Sequence, residues 1–223
     1  MSVQDGTPAR VFLRPIGSPV PLGLSGLVGA SLVLSGLELG WLAGSQQGAV
    51  GIVLLAFAFP LQFSASLLAF AARDGVLGAA LGILAGTWLT TGLIYVGSGP
   101  GSRSGALGLL LLAATVVLAS AAAAAATGKL APALVFMLAS LRFALSGVYE
   151  LGGGTFWQDA AGIVGLVIVV LAAYTMAMAA LEDARGTPMP ALGRRARGES
   201  ALAAPFRDQV AGVEHEPGVR QQL

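Results

Sequence analysis

SPVPLGLSGLVGASLVLSGLELGWLAG, residues 18–44, takes the chain from a proline-rich polar segment into a long apolar one. The apolar part, Leu22 to Ala43, is about 22 residues long, enough to cross a ~30 Å hydrocarbon core as a helix. Pro19 and Pro21 suit the first helical turn, where a backbone donor has no helical partner. We expect the span to be retained in the membrane, since it is longer than the apolar core of a cleaved signal peptide.

The same stretch carries two features that bear on packing and on chemistry. Gly36, Gly40 and Gly44 repeat every four residues, which predicts a helix face open to close contact with a neighbour. Glu38 lies late in the span, where a carboxylate is costly and therefore indicates a partner or a polar path. Glycine faces serve packing within the chain or contact between subunits, and the sequence leaves both open. A second series of this kind is Gly78, Gly82 and Gly86.

The composition places the chain in the polytopic membrane class. Of its 223 residues, 56% are hydrophobic and 10% are charged, with a mean hydropathy of +0.81, whereas a soluble domain carries about 25% charged residues. The chain has no Cys, and its single His, His215, has no second ligand nearby, so we expect no metal site. Nucleotide-binding and hydrolase motifs are absent, so we expect neither a cofactor nor an enzyme. A formal net charge of +1 gives no reason to expect a nucleic-acid partner.

Six apolar runs of spanning length follow one another along the chain. The breaks between them are short and rich in glycine, serine and charged residues, so consecutive helices run antiparallel in an up-down bundle. A membrane β-barrel would need shorter segments of alternating polarity, which the sequence lacks. The predicted fold is therefore an all-α, polytopic membrane protein with six transmembrane helices. The runs are Leu22–Ala43, Ala49–Ala72, Val76–Val96, Gly105–Ala126, Leu130–Tyr149 and Ala160–Leu181.

The distribution of basic residues predicts the orientation in the cell membrane. If the N-terminus is cytoplasmic, the outer loops carry only Arg103, so we expect both termini in the cytoplasm. We predict a cytoplasmic tail over 1–17, a transmembrane domain over 18–185 and a disordered cytoplasmic tail over 186–223. The cluster Arg194–Arg197 serves as a positive flank of the last span or contacts anionic lipid headgroups. The basic residues predicted on the inner side are Arg10, Arg14, Arg73, Lys129, Arg185, Arg194, Arg195 and Arg197.

A few polar side chains fall deep inside the predicted spans, where they indicate function or a buried partner. Helical rise places Arg142 about 18 Å from the inner side and Gln62 about as far from the outer side. Thr87 falls near mid-depth, and Thr90 lies beyond it on the same span. Together with Glu38, these side chains are predicted to line a polar path through the bundle.

Arg142 is the strongest single signal, because an arginine deep in lipid needs a wet cavity or a partner. One interpretation is a structural ion pair with Glu38 or with Glu150. The other is an anion site, since a guanidinium holds a carboxylate through two parallel hydrogen bonds. The two interpretations are compatible if the pair lines the path.

Several of these residues resemble a known family of transporters. The segment SPVPLGLSG at the start of the first span is similar to the NPAPLGL signature of the acetate uptake transporters, also called succinate–acetate permeases. The residues that carry this motif are Pro19, Pro21, Leu22 and Gly23. The resemblance extends over residues 18–190. Further similar positions are ELGWL at 38–42, Gln62, Thr87-Trp88-Leu89-Thr90, Phe136 and Phe143-Ala144-Leu145.

The resemblance implies a six-span bundle with cytoplasmic termini that assembles as a homo-oligomer, namely a hexamer. It also implies a path in each subunit for acetate, succinate and related small carboxylates, with channel-like or proton-coupled uptake. The chain departs from the family pattern at several positions, so the fold transfers more readily than the substrate. Those positions are Ser18 and Val20 in the opening motif, Glu38 in place of an asparagine, Arg142 at a normally apolar place, and Ala69-Phe70 in place of an acidic-aromatic pair.

The sequence therefore predicts a membrane transporter or channel for small carboxylate anions. In it Arg142 would attract the anion, and Gln62 and Thr87 would replace its water. Glu38 would tune the charge or the proton coupling. One alternative is a pore for a neutral or cationic solute such as ammonia or urea, in which Glu38 matters more than Arg142. Another is a non-transporting membrane scaffold in which the two charged groups form a closed, dry pair.

Overall fold

The computed structural model describes residues 17–185 and residue 193, and there six helices are long and apolar enough to cross a membrane. This confirms the prediction of an all-α polytopic bundle. The predicted tails, apart from residues 17 and 193, lie outside the described residues, together with their basic side chains and His215. The helices are α1 (Val20–Glu38), α2 (Gly44–Ala71), α3 (Gly75–Gly97), α4 (Gly105–Ala125), α5 (Leu130–Glu150) and α6 (Thr155–Arg185).

The helices form a closed ring. Each helix packs against the next one along the chain, and α6 returns to pack against α1. Short connections favour this arrangement, because consecutive helices joined by a few residues must run antiparallel. Two names are used below for the ends of the bundle. The terminal end carries residues 17–19, 72–74 and 126–129, and the distal end carries residues 39–43, 98–104 and 151–154.

Helix α1 ends at Glu38, earlier than predicted, because a glycine turn follows. Gly40 has a φ of +73°, a left-handed conformation that favours glycine, and its N–H still bonds back to a carbonyl of the helix. The prediction of one continuous glycine face is therefore wrong. Of the three residues, only Gly36 is helical in α1, whereas Gly44 begins the next helix.

Helix α2 is continuous but irregular. A 3₁₀ turn at Gly44–Gln46 leads into the α-helical segment Gln47–Val53, and the next turn, Leu54–Ala58, is π-helical before the α-helix resumes at Phe59–Ala71. Pro60 lies two residues after this wide turn. Because proline has no N–H and its ring crowds the carbonyl one turn earlier, regular α-helical bonding is interrupted there.

The second glycine series packs within the chain. A Cβ added at Gly78 would lie 2.8 Å from the Phe70 ring, and one added at Gly82 would lie 3.1 Å from Ser66 Oγ. Ser66 Oγ also donates a hydrogen bond of 2.7 Å to the Gly78 carbonyl. Gly86 has nothing within 4 Å of an added Cβ. Gly78 and Gly82 thus let α2 and α3 approach closely, as small residues do in membrane bundles.

Candidate functional site

Arg142 lies inside the helix ring, on α5, with 1% of its side chain exposed. Its Nη2 donates to Glu38 Oε2 at 2.7 Å, which forms an ion pair with α1. Its Nη1 donates to Ser35 Oγ at 2.9 Å and to the Ala161 carbonyl of α6 at 3.0 Å. The guanidinium therefore joins three helices, and both of its terminal nitrogens have protein acceptors. Of the two carboxylate partners considered from the sequence, the structure pairs Arg142 with Glu38.

A glycine on α6 makes room for this guanidinium. A Cβ added at Gly165 would overlap both Arg142 Nη1 and Ser35 Oγ, and it would lie 2.7 Å from Arg142 Cζ. Any larger residue at this position would displace the arginine from its bonds. The close approach explains why an apolar span carries a fully buried glycine one turn after Ala161.

A cavity of about 110 Å³ lies between this ion pair and the distal end. Glu38 and Arg142 form part of its wall at the inner end, beside Trp88 and Phe143. At the outer end the cavity reaches Glu150 and the loop 98–104. All six helices or their distal connections contribute to the wall. The other polar side chains in the wall are Gln47, Thr91, Tyr95, Ser102, Ser146, Tyr149 and Gln158.

The loop 98–104, which we call the distal loop, is fastened over the cavity by two side chains. Gln47 Nε2 donates to the Gly99 carbonyl at 3.3 Å, and Gln47 Oε1 accepts from the Gly101 N–H at 2.9 Å. Glu150 Oε2 accepts from the Ser104 N–H at 2.7 Å, at the N-terminus of α4. An anionic group is favourable at a helix N-terminus, so Glu150 serves the loop and not Arg142.

The inner end of the cavity is closed by a hydrogen-bonded layer. Trp88 Nε1 donates to Gln62 Oε1 at 2.6 Å, and Gln62 Nε2 donates to the Gly23 carbonyl at 3.1 Å. The Phe143 ring meets Trp88 edge to face, with 5.7 Å between centroids. Gln62 is 0% exposed and Trp88 is 1% exposed, so side chains pack continuously at this level. Towards the terminal end the interior is filled by large apolar residues, among them Leu27, Leu81, Leu84, Phe136 and Ile168.

The predicted path residues are therefore divided between different environments. Glu38 and Arg142 line the cavity, and Gln62 lies just beneath it, bonded to a residue of the wall. Thr87 Oγ1 donates to the Leu84 carbonyl at 2.7 Å, so its hydroxyl is satisfied by its own helix. Thr90 Oγ1 donates in the same way to a carbonyl of α3, at 2.9 Å. Neither threonine lines the cavity.

The residues of the opening motif position α1. Pro19 caps the helix, and Pro21 follows in its first turn, as expected for proline at the start of a helix. Leu22 is half-buried against the apolar core. A Cβ added at Gly23 would lie 2.8 Å from Leu81 Cδ1, so this glycine leaves room for the Leu81 side chain of α3. The opening motif therefore affects the cavity indirectly. It packs α1 in place, and its Gly23 carbonyl accepts the hydrogen bond from Gln62.

Sequence reasoning missed several residues of the site. Ser35 lies one turn before Glu38, and both bond to the guanidinium. Ser146 follows Arg142 by four residues, and Glu150, which the sequence suggested only as a partner for Arg142, follows by eight, so all three lie on one face of α5. That spacing was a signal available in the sequence. Within residues 17–185, the buried Ser146 Oγ and Arg142 Nε have no hydrogen-bond partner.

Comparison with known proteins identifies the architecture. Neither models of protein families nor curated proteins match the chain. Among solved structures, the chain is similar to that of the bacterial acetate channel SatP, with a TM-score of 0.68 and 22% sequence identity. The similarity covers 78% of this chain and 98% of that chain. The two chains share a fold.

Proposed function

We propose that this protein is a channel or transporter for small carboxylates such as acetate. The observation that carries the proposal is Arg142, a guanidinium at the inner end of a cavity within the helix ring. A guanidinium is well suited to a carboxylate, because its two parallel N–H donors match the two oxygens. The fold shared with an acetate channel and the opening motif at Pro19–Gly23 both support this solute class.

The closed layer beneath the cavity defines what transport would require. Gln62 and Trp88 would have to separate before a solute passes from the cavity towards the terminal end. The conformation described here is therefore a closed one, with a cavity adjoining the distal end only. Solute flux through this protein would involve a change in that layer, as in many gated paths.

Uptake into proteoliposomes tests the proposal. Labelled acetate, glycolate and succinate are presented at about pH 8, where carboxylic acids are almost fully ionised and cross lipid poorly. The test variant is Glu38→Gln with Arg142→Gln, because removing one partner alone would leave a buried charge unpaired. We expect uptake by the parent and its loss in the double variant. Arg185→Gln is the control, since Arg185 is an exposed basic residue at the terminal end, outside the cavity wall.

The outcomes separate the proposal from its site assignment. If parent liposomes match empty ones for every carboxylate tested, the transport function is lost. If the double variant transports as well as the parent and the Arg185→Gln control, the function stands and Arg142 is not the binding group.

Orientation and assembly are further parts of the proposal. The terminal end carries Arg73, Lys129 and Arg185, whereas Arg103 is the basic residue that the described distal connections carry, which supports cytoplasmic termini. Because the chain has no Cys, a Ser102→Cys variant labelled by a membrane-impermeant thiol reagent on intact cells tests this orientation directly.

A homo-oligomer is proposed from the family resemblance, and cross-linking in the membrane tests it.

A second candidate function is a non-transporting membrane scaffold. The continuous packing of Gln62 and Trp88, both almost fully buried, favours this candidate. In a scaffold the Arg142–Glu38 pair would only hold helices together. The same uptake experiment decides between the candidates, because a scaffold would show no flux of any solute.

A further inference from the structure

The charges in the cavity wall favour a carboxylate that also carries a positive group over a simple anion. Within the described residues, the wall contains one cationic side chain, Arg142, and two carboxylates, Glu38 and Glu150. Both terminal nitrogens of the guanidinium already have protein acceptors, one of them the Glu38 carboxylate at 2.7 Å. Arg142 Nε is buried and has no partner in the part of the chain that the structure describes. A free carboxylate that enters this cavity therefore meets a guanidinium whose terminal nitrogens are engaged, in a wall whose described residues include two carboxylates and one cation.

Binding a carboxylate to the terminal nitrogens of Arg142 would displace Glu38. Glu38 has only 9% of its side chain exposed, so it would remain largely buried after losing its cationic partner. Breaking a buried ion pair in this way weakens binding by about a hundredfold or more. A solute avoids this penalty if it brings a positive charge of its own to Glu38.

We propose that the cavity binds a small zwitterion, with a carboxylate on Arg142 and an ammonium group on Glu38. The chemical class is a small amino acid with its two charges one or two carbons apart, such as glycine or β-alanine. The proposal rests on the proposed transport function and narrows its substrate class. The bound solute would exchange partners with the ion pair, so every buried charge keeps an opposite charge beside it.

The rest of the cavity fits this class. Its volume of about 110 Å³ is several times the ~10–15 Å³ of cavity that one water requires, so a solute of about five heavy atoms has room. Ser146 Oγ is buried in the wall without a partner among residues 17–185, so it is free to bond to either end of the solute. Tyr95 also lines the cavity, and aromatic rings attract an ammonium group.

The test compares glycine with glycolate, in which a hydroxyl replaces the ammonium, and with acetate. Proteoliposomes containing the parent protein take up labelled glycine, and each unlabelled solute competes in turn. We expect glycine to compete at concentrations at least about tenfold lower than glycolate or acetate. This comparison needs no variant, so it does not depend on whether a mutant folds.

Variants then locate the ammonium site. In Glu38→Gln, we expect the preference for glycine over glycolate to fall at least about tenfold, because the amide carries no charge. Asp159→Asn is the control, since Asp159 is an exposed carboxylate near the same end that does not line the cavity. It should keep the preference of the parent.

The failures are distinguishable. If acetate and glycolate enter but glycine neither enters nor competes, the proposal of a zwitterionic solute is wrong, whereas the proposed transport of carboxylates stands. An acetate uptake that, after subtraction of the uptake by empty liposomes, rises as the medium is acidified, without glycine uptake, would mean that a proton supplies the positive charge instead. An unchanged preference in Glu38→Gln overturns the assignment of Glu38. If no solute enters, the proposed function and this inference fall together.

Discussion

Replacing Gly165 with alanine tests how the guanidinium is held. The added methyl group would overlap Arg142 Nη1 and Ser35 Oγ, so the arginine would have to withdraw from α6. It would then lose the bonds from Nη1 to Ser35 Oγ and to the Ala161 carbonyl, which are 2.9 and 3.0 Å long. The ion pair with Glu38 would also be disturbed. The change should therefore weaken both the fold and the cavity.

The magnitude follows from the bonds lost. A hydrogen bond to a charged group contributes about 1.5–3 kcal/mol, so losing both Nη1 bonds costs about 3–6 kcal/mol. Alanine in a helix interior is about 1 kcal/mol more favourable than glycine, which offsets part of the loss. We expect Gly165→Ala to lower the free energy of unfolding by about 2–5 kcal/mol.

The matched control is Gly86→Ala, because Gly86 is also helical but has nothing within 4 Å of an added Cβ. Reversible unfolding in mixed micelles gives the free energies, and uptake into proteoliposomes reports the cavity. Gly86→Ala should equal or slightly exceed the parent in stability and should retain its uptake. If Gly165→Ala behaves like Gly86→Ala in both assays, the proposed role of Gly165 is wrong.

Three further changes have definite expected results. Gln62→Leu should lower the free energy of unfolding by about 1–3 kcal/mol, because the Trp88 N–H stays buried without an acceptor; unchanged stability would refute its bonding role. Glu150→Leu should speed hydrogen exchange at the Ser104 amide, which loses its carboxylate acceptor; an unchanged rate would mean that the loop is held by other contacts. Gly78→Ala should destabilise the bundle by about 1–3 kcal/mol, because the new Cβ would press on the aromatic ring it faces in α2; a more stable variant would contradict that packing.

The spans were predictable because their signal is local. Apolar length and the polar breaks between runs suffice to count helices, and each predicted run overlaps one observed helix. The end of α1 was missed for an equally local reason. A glycine repeat does not show whether its members are helical, and at Gly40 the positive φ makes a turn instead.

The cavity was less predictable because its partners are distant in sequence. The sequence indicates that Arg142 needs a partner, and the three-dimensional arrangement decides that Glu38 and not Glu150 provides the carboxylate. Hydropathy could not reveal that Gly165 makes room for the guanidinium, since glycine is common in spans. Depth estimates placed Thr87 correctly in the middle of its helix but could not give the direction of its hydroxyl.

The π-helical turn Leu54–Ala58 changes the rotation of one half of α2 relative to the other. Leu54, Ala58 and Gln62 are all buried at intervals of four residues, whereas a helix with ~3.6 residues per turn drifts by ~40° at each such step. Deleting one residue within the turn would rotate the two halves of α2 by about 100° relative to each other. Gln47 holds the distal loop from one half, and Gln62 meets Trp88 from the other. The π-helical turn thus fixes how the residue that holds the distal loop is rotated about α2 relative to the residue that closes the cavity from below.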